Sequence, residues 1–292
     1  MLIKAVLGVM LALTIYFAVV FFMDYMKASK EGRLEKANFF ALGAVGFATN
    51  FFDTLGIGSF APTTALLKMF KLSADRTIPG TLNVACTIPV VVEALIFITV
   101  IKVEPVTLIA LLAAATVGAF FGAGFVSKLD ERKVELGMGV ALIAVVITML
   151  AGQLNLMPVG GTEIGLTGAK LIIGVVGNLI LGALMTLGIG LYAPCMALVF
   201  ALGMSPKVAF PIMMGSCAFL MPVASAKFVK EGAYDRKASM AITIFGVVGV
   251  LIAAYIVKEL PLNILKWLVD VVIVYTAIMM FRSASKHKEA TA

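Results

Sequence analysis

The sequence predicts an all-α polytopic membrane protein built as an inverted repeat, and three observations predict it. The 292 residues are 62% hydrophobic and only 13% charged, with a mean hydropathy of +1.09, a composition that no solvated globular surface carries. The charged residues gather in short clusters that divide the chain into apolar spans. The segment Thr54-Leu55-Gly56-Ile57-Gly58 with Ala61-Pro62 behind it returns as Thr186-Leu187-Gly188-Ile189-Gly190 with Ala193-Pro194. The expected organisation is an N-terminal helix and loop (1–37), a first unit (38–153), a neutral connector (154–168), a second unit (169–282) and a charged tail (283–292). Each unit is expected to hold a glycine-broken pair of short helices followed by three crossings.

The elements follow from span length, since about 20 residues cross roughly 30 Å of hydrocarbon. Simple crossings are expected at 4–23, 78–101, 105–127, 134–153, 208–228, 238–257 and 263–281. The first starts with a single Lys4 and lacks an Ala-x-Ala exit, so it reads as a retained helix rather than a cleaved signal. Two stretches break the pattern. No charged residue lies between Lys170 and Lys207, a length that would extend about 54 Å as one helix at 1.5 Å per residue. Lys36 to Lys68 is interrupted only by Asp53. In both, the Gly-Ile-Gly element falls near the middle, so each reads as two shorter helices, arranged as a re-entrant hairpin or as a pair of short spans.

Lysine and arginine accumulate in short cytoplasmic loops. Lys27, Lys30, Arg33 and Lys36, then Lys71 and Arg76, then Lys128, Arg132 and Lys133, then Lys227, Lys230, Arg236 and Lys237, and finally Arg282, Lys286 and Lys288 all read as inside. The N-terminus is then outside and the C-terminus inside. Three crossings after each broken pair mount the second unit upside down relative to the first, the arrangement of alternating-access transporters. The net charge of +7 is a topology signal on this reading, not a nucleic-acid footprint.

Helix breaks at membrane depth expose helix ends and peptide groups, and helix N-termini suit an anion. Gly56, Gly58, Gly188 and Gly190 let backbone approach a solute, and Thr54 and Thr186 place hydroxyls beside them. The same glycines also fit helix packing. Pro62 and Pro194 read as structural, starting or kinking the second short helix. Asp53, matched by Met185 in the second copy, and Glu93, just past Pro89 in an apolar run, are the membrane carboxylates expected to carry protons, with a cap or a structural hydrogen bond as the bland alternative for each. Asn83 and Ser216 are small polar groups that line a cavity or bond between helices. Cys86, Cys195 and Cys217 lack metal or redox spacing and read as packing residues, and His287, the only histidine, lies in the tail. No cofactor or metal is expected.

The pattern Gly43-x-x-Gly46, Asp53-Thr54-Leu55-Gly56-x-Gly58, Pro62, repeated as Gly174-x-x-Gly177, Thr186-Leu187-Gly188-x-Gly190, Pro194, resembles the TauE/SafE family of sulfite exporters over nearly the whole chain after the first helix. The resemblance implies transport of sulfite, sulfoacetate or a related organosulfonate, often outward and with proton or ion coupling. The function expected is therefore a secondary transporter of a small sulfur-containing anion in the cell membrane, with the lipid bilayer and protons as its other partners and no nucleic acid. An anion channel is the alternative. A membrane-embedded enzyme is weaker, because the sequence has no His-Glu-x-x-His helix, no carboxylate cluster of metal-binding spacing and no G-x-S-x-G elbow.

Overall fold

The computed structural model describes residues 2–55, 57–97, 102–156, 160–255 and 263–289. Among them the chain is all-helical: α1 (Leu2–Lys30), α2 (Phe39–Thr54), α3 (Phe60–Met69), a 3-10 turn (Asp75–Thr77), α4 (Ile78–Phe97), α5 (Pro105–Val126), α6 (Glu131–Gln153), α7 (Gly168–Met185), α8 (Tyr192–Ala201), α9 (Pro206–Glu231), α10 (Arg236–Tyr255) and α11 (Asn263–Glu289). Among the described residues, seven helices are long and apolar enough to cross a membrane. Six of the stretches, Lys4–Lys30, Asp75–Ile96, Pro105–Val126, Glu131–Gln153, Lys207–Glu231 and Arg236–Tyr255, coincide with expected simple crossings, and the seventh, Gly168–Met185, is the first limb of the second broken stretch. The expected crossing at 263–281 lies in α11 and is not among the seven.

Both long stretches leave the helix where the chain is too long to continue. The first stops at Thr54 and restarts at Phe60, and the second stops at Met185 and restarts at Tyr192. Gly58 (φ +89°) and Gly188 (φ +100°), between these helices, take the left-handed conformation that favours glycine. Gly190 does not, so the two turns differ in detail despite their common sequence.

The helices sort by burial. In the apolar stretches of α4 and α9, 83% of residues are buried, against 17% in α1. These two prolyl helices are the axis of the molecule and α1 rides outside, facing lipid with side chains such as Ile15, Val19 and Phe22. Pro89 has no N–H for the carbonyl of Ala85 one turn earlier. The hydroxyl of Thr243 on α10 donates to that carbonyl at 2.9 Å instead.

Packing is reciprocal between the two parts of the chain. α2 lies on α10 and α7 lies on α5, while α5 and α10 also pack on α9 and α4 respectively. α6 pairs with α11, α3 touches α11 and α8 touches α6. Glycine lets the backbones meet at the α2–α10 and α5–α7 crossings. A Cβ on Gly46 would sit 2.5 Å from the Ile242 backbone, and one on Gly249 would sit 2.5 Å from the Phe47 carbonyl. Across α5 and α7, a Cβ on Gly118 would lie 1.9 Å from the Leu179 carbonyl and one on Gly182 2.1 Å from that of Ala115. Without hydrophobic drive between helices in lipid, such backbone contact is a main source of association.

The connector is clasped to both parts. Glu104 N–H donates to Ile164 at 2.9 Å, Ser205 N–H to Glu163 at 2.8 Å and Gly161 N–H to Met204 at 2.9 Å. At the opposite end of the bundle, α10 begins under two carboxylates. Asp235 accepts from the Ala238 N–H at 2.8 Å, and Glu35 accepts from the N–H groups of Arg236 and Lys237 at 3.1 and 3.0 Å. Asp24 of α1 receives the Tyr234 hydroxyl and the Arg236 guanidinium at 2.6 and 2.8 Å, tying the outer helix to this corner.

Two outcomes follow from this packing. Gly118→Ala and Gly182→Ala each cost about 1–3 kcal/mol of unfolding free energy through overpacking, measured by steric trapping or denaturant unfolding in detergent. Gly8→Ala on α1, where a Cβ meets nothing within 4 Å, leaves stability unchanged, and equal effects at all three positions contradict the packing account. At the α10 corner, burial pushes the Asp235 carboxyl up to about 6 from the ordinary 3.8. The folded protein holds this proton more tightly than the unfolded chain, so the stability it adds is present below about pH 4 and lost as pH rises through 6. Protection of the Ala238 and Ser239 amides in hydrogen exchange, corrected for intrinsic rate, falls over that window, and Asp235→Asn, which keeps a capping acceptor, removes the fall.

Candidate functional site

α3 and α8 are each ten residues long and start in the same way. Phe60-Ala61-Pro62 and Tyr192-Ala193-Pro194 form their first turns, with proline in the turn where its missing N–H costs nothing. Neither start is capped by a side chain. Leu191 has no polar atom to offer, and the Ser59 hydroxyl turns away to donate to the Asp53 carboxylate at 3.0 Å. The first backbone N–H groups of a helix have no acceptor within it. Here they belong to Phe60 and Ala61 in one helix and to Tyr192 and Ala193 in the other, and all four residues line a single interior cavity.

The cavity has a volume of about 40 Å³, against the roughly 10–15 Å³ that one water requires by the same measure. Asp53, Gly58, Ser59 and Gly190 add polar groups and bare backbone, and Val90, Val145, Met149, Met185, Leu191 and Cys217 close it with apolar surface. A Cβ on Gly58 or Gly190 would meet nothing within 4 Å, so both glycines present naked peptide to this space. Two helix N-termini, each carrying partial positive charge, therefore border one small volume whose other walls are mostly apolar.

Beside the cavity, Glu93 of α4 is fully buried and joins the two breaks. The Thr54 hydroxyl at the end of α2 contacts Oε1 at 2.6 Å, and the Tyr192 hydroxyl at the start of α8 donates to Oε2 at 2.9 Å. α3 is anchored at its far end by Lys68, whose ammonium pairs with Asp75 and lies 3.6 Å from Glu135. Asp75, Glu131 and Glu135 are close enough to hold a cation, and the lysine ammonium already lies against two of them.

Of the residues expected from sequence, the structure brings Asp53, Gly58 and Gly190 to the cavity wall and sets Thr54 and Glu93 against one another beside it. Gly56 lies outside the described residues. The Thr186 hydroxyl is spent on the Ala183 carbonyl at 2.7 Å, and Gly188 turns toward Leu82 and Met138. Asn83 donates to the Pro79 carbonyl at 2.9 Å within its own helix. Ser216 accepts from Asn178 at 2.9 Å, and Asn178 also donates to the Leu111 carbonyl at 2.7 Å, so this group stitches α7 to α5 and α9. Tyr192, Ser59 and Asn178 were not singled out from sequence. Tyr192 carried a signal, being the hydroxyl-bearing counterpart of Phe60 two residues before the repeated proline.

The family model described as Sulfite exporter TauE/SafE matches residues 1–149 and 170–292, so it takes in α1 and leaves 150–169 unmatched. No curated protein and no solved structure matches the chain.

Gly190→Ala tests the bare wall. Its backbone is not in the left-handed region and a methyl group has room, so the variant keeps the wild-type unfolding midpoint while the added methyl enters the cavity and weakens anion-dependent thermal stabilisation by about tenfold in anion concentration, or roughly 1.4 kcal/mol. Unaltered stabilisation by the anion places its binding elsewhere.

Proposed function

Because this chain belongs to the sulfite exporter TauE/SafE family, we propose that it is a secondary transporter carrying a small sulfur-containing anion such as sulfite, sulfoacetate or a related organosulfonate across the cytoplasmic membrane by alternating access, with protons as the coupling ion. The observation that carries this reading is the convergence of two uncapped helix starts, one from each copy of the repeated motif, on one buried cavity. Each offers N–H donors and the positive end of a helix dipole, and an anion between them replaces its hydration shell with fixed peptide dipoles.

The proposed units are 38–153 and 169–282, related by inversion, with 1–37 added before them, 154–168 joining them and 283–292 as the tail. Reciprocal packing supports this, since α2 lies on α10 as α7 lies on α5. The exchange of conformation between two such units turns an inward-facing site outward. The basic loops support an N-terminus outside and a C-terminus inside.

Asp53 gives the coupling its physical basis. It stands in the wall of the cavity proposed for the anion, and two unit charges of one sign at about 4 Å repel by about 4 kcal/mol at an effective dielectric of 20. Anion and proton therefore load together: with Asp53 neutral, the Ser59 hydroxyl and the helix starts are left to hold the anion. Glu93, behind the same wall, is the second carboxylate of the path. Of the other residues expected to bind, Thr54, Gly58 and Gly190 act at this site. Thr186, Gly188, Asn83 and Ser216 support it from the surrounding helices.

Proteoliposomes loaded against a panel of sulfite, thiosulfate, sulfoacetate and taurine, with and without a pH gradient, test the reading. At least one anion accumulates above equilibrium when the gradient is imposed. Asp53→Asn reduces gradient-driven accumulation at least tenfold. Equilibration without accumulation by the wild type identifies a channel, and appearance of a new chemical species identifies an enzyme.

A further inference from the structure

The Thr54 hydroxyl has one hydrogen and two acceptors within reach. It lies 2.6 Å from Glu93 Oε1 and 3.0 Å from the Asn50 carbonyl oxygen, and a hydroxyl donates only once. Both contacts are hydrogen bonds at the same time only when Glu93 is protonated and donates to Thr54, while Thr54 donates on to Asn50. An ionised Glu93 has no hydrogen and must take the one from Thr54, leaving Asn50 without it. The Tyr192 hydroxyl donates to the other carboxyl oxygen at 2.9 Å in either case.

We infer that Glu93, Thr54 and Tyr192 form a proton-loaded switch spanning both helix breaks, in which the direction of the Thr54 hydrogen reports the protonation state of Glu93 to α2 while Tyr192 reports it to α8. The inference rests on the transporter reading above and adds to it how Glu93, the second carboxylate of the path after Asp53, passes its protonation state to the two helix breaks through Thr54 and Tyr192. Tyr192 and Thr54 are positioning residues. Loss of the proton turns the Thr54 hydrogen from the α2 backbone to Glu93, and the carboxylate then pulls on two donors from opposite sides of the cavity. Hydrogen bonds to an ionised group are shorter and about twice as strong as neutral ones, so the two breaks are drawn together in one protonation state and relaxed in the other. Such a two-position hydrogen bond between elements free to shift is a bistable element of the kind that conformational transitions use.

The surroundings leave Glu93 as the switch. The groups that act on it electrostatically are Asp53 from α2, Tyr192 from α8, Cys217 from α9 and Cys86 from α4 itself. None is a cation. Of the basic side chains on the elements packed near α4, Lys68 of α3 pairs with Asp75 and lies near Glu135, Arg236 of α10 pairs with Asp24, and on α9 Lys227 pairs with Glu231 and Lys230 donates to the Tyr16 hydroxyl. A carboxyl at this depth with no basic partner is stabilised either by a proton or by hydroxyl donors, and the three residues supply both options. The arrangement is confined to one orientation of the repeat, because Phe60 stands where Tyr192 stands in the other copy.

The pH profile of gradient-driven uptake in proteoliposomes tests the switch, with sulfite as the probe anion, or whichever panel anion the wild type accumulates. A hydroxyl donating to the carboxylate favours its charged form, so Tyr192→Phe moves the pH of half-maximal uptake upward by about one unit. A merely structural role lowers uptake equally at every pH and leaves the midpoint in place, which overturns the proposal. Thr54→Val flattens the profile and Thr54→Ser restores it, whereas failure of serine to restore it counts against a hydroxyl switch. For variants too impaired to transport, infrared difference spectra of purified protein across the same pH range carry the test: a protonated-carboxyl band vanishes in Glu93→Gln and shifts in frequency in Tyr192→Phe. A band untouched by Tyr192→Phe also overturns the proposal. If the wild type accumulates no anion of the panel, the transporter reading fails independently of these spectra.

Discussion

A peptide group that leaves its helix inside a bilayer must find a partner within the protein, and this chain leaves its helices twice in its apolar interior. The segments after both breaks, at Thr54 and at Met185, line the same cavity, where Gly58, Ser59 and Gly190 bring backbone to it. Every other feature of the centre serves that condition. α4 and α9 are buried because they wall the space, and the small residues around it let the broken elements come close without filling it. Glu93 and its two hydroxyl partners connect the breaks across the axis of the bundle.

The same constraint explains how the outer layer is put together. α2 and α7 cannot stand alone with a break at one end, and each is held along its length by a helix from the other part of the chain through direct backbone contact. The glycines at these crossings do different work from those at the breaks. Gly46, Gly118, Gly182 and Gly249 are small so that a neighbour's main chain fits against them, whereas Gly58 and Gly190 are small so that nothing does. Alanine separates the two roles: it collides at the first group and merely narrows the cavity at the second.

Much of this architecture could be read from the chain. The length from 37 to 67, interrupted only by Asp53, and the charge-free length from 171 to 206 are each too long for one crossing, and a helix stops within each, at Thr54 and at Met185. Asp53 and Glu93 announced themselves because carboxylates in apolar runs are costly. The crossings of α2 with α10 and α7 with α5 could not be read, since glycine spacing indicates close approach but not the partner. The hydrogen-bond partner of Thr186 could not be read either: a threonine near a helix end readily bonds the carbonyl one turn back, and it does so here at Ala183. Tyr192 was overlooked because an aromatic residue in an apolar run reads as packing. Only the arrival of α4 beside α8, a long-range contact, gives its hydroxyl a carboxylate to meet.

Pro89 sits one turn before Glu93, and the carbonyl it strands at Ala85 is held by Thr243 of α10. The helix ladder at that point has been rerouted from α4 to its neighbour, so the segment carrying Glu93 is steered partly from outside its own axis. α10, itself packed against α2, is thereby fastened to α4 two turns before the carboxylate.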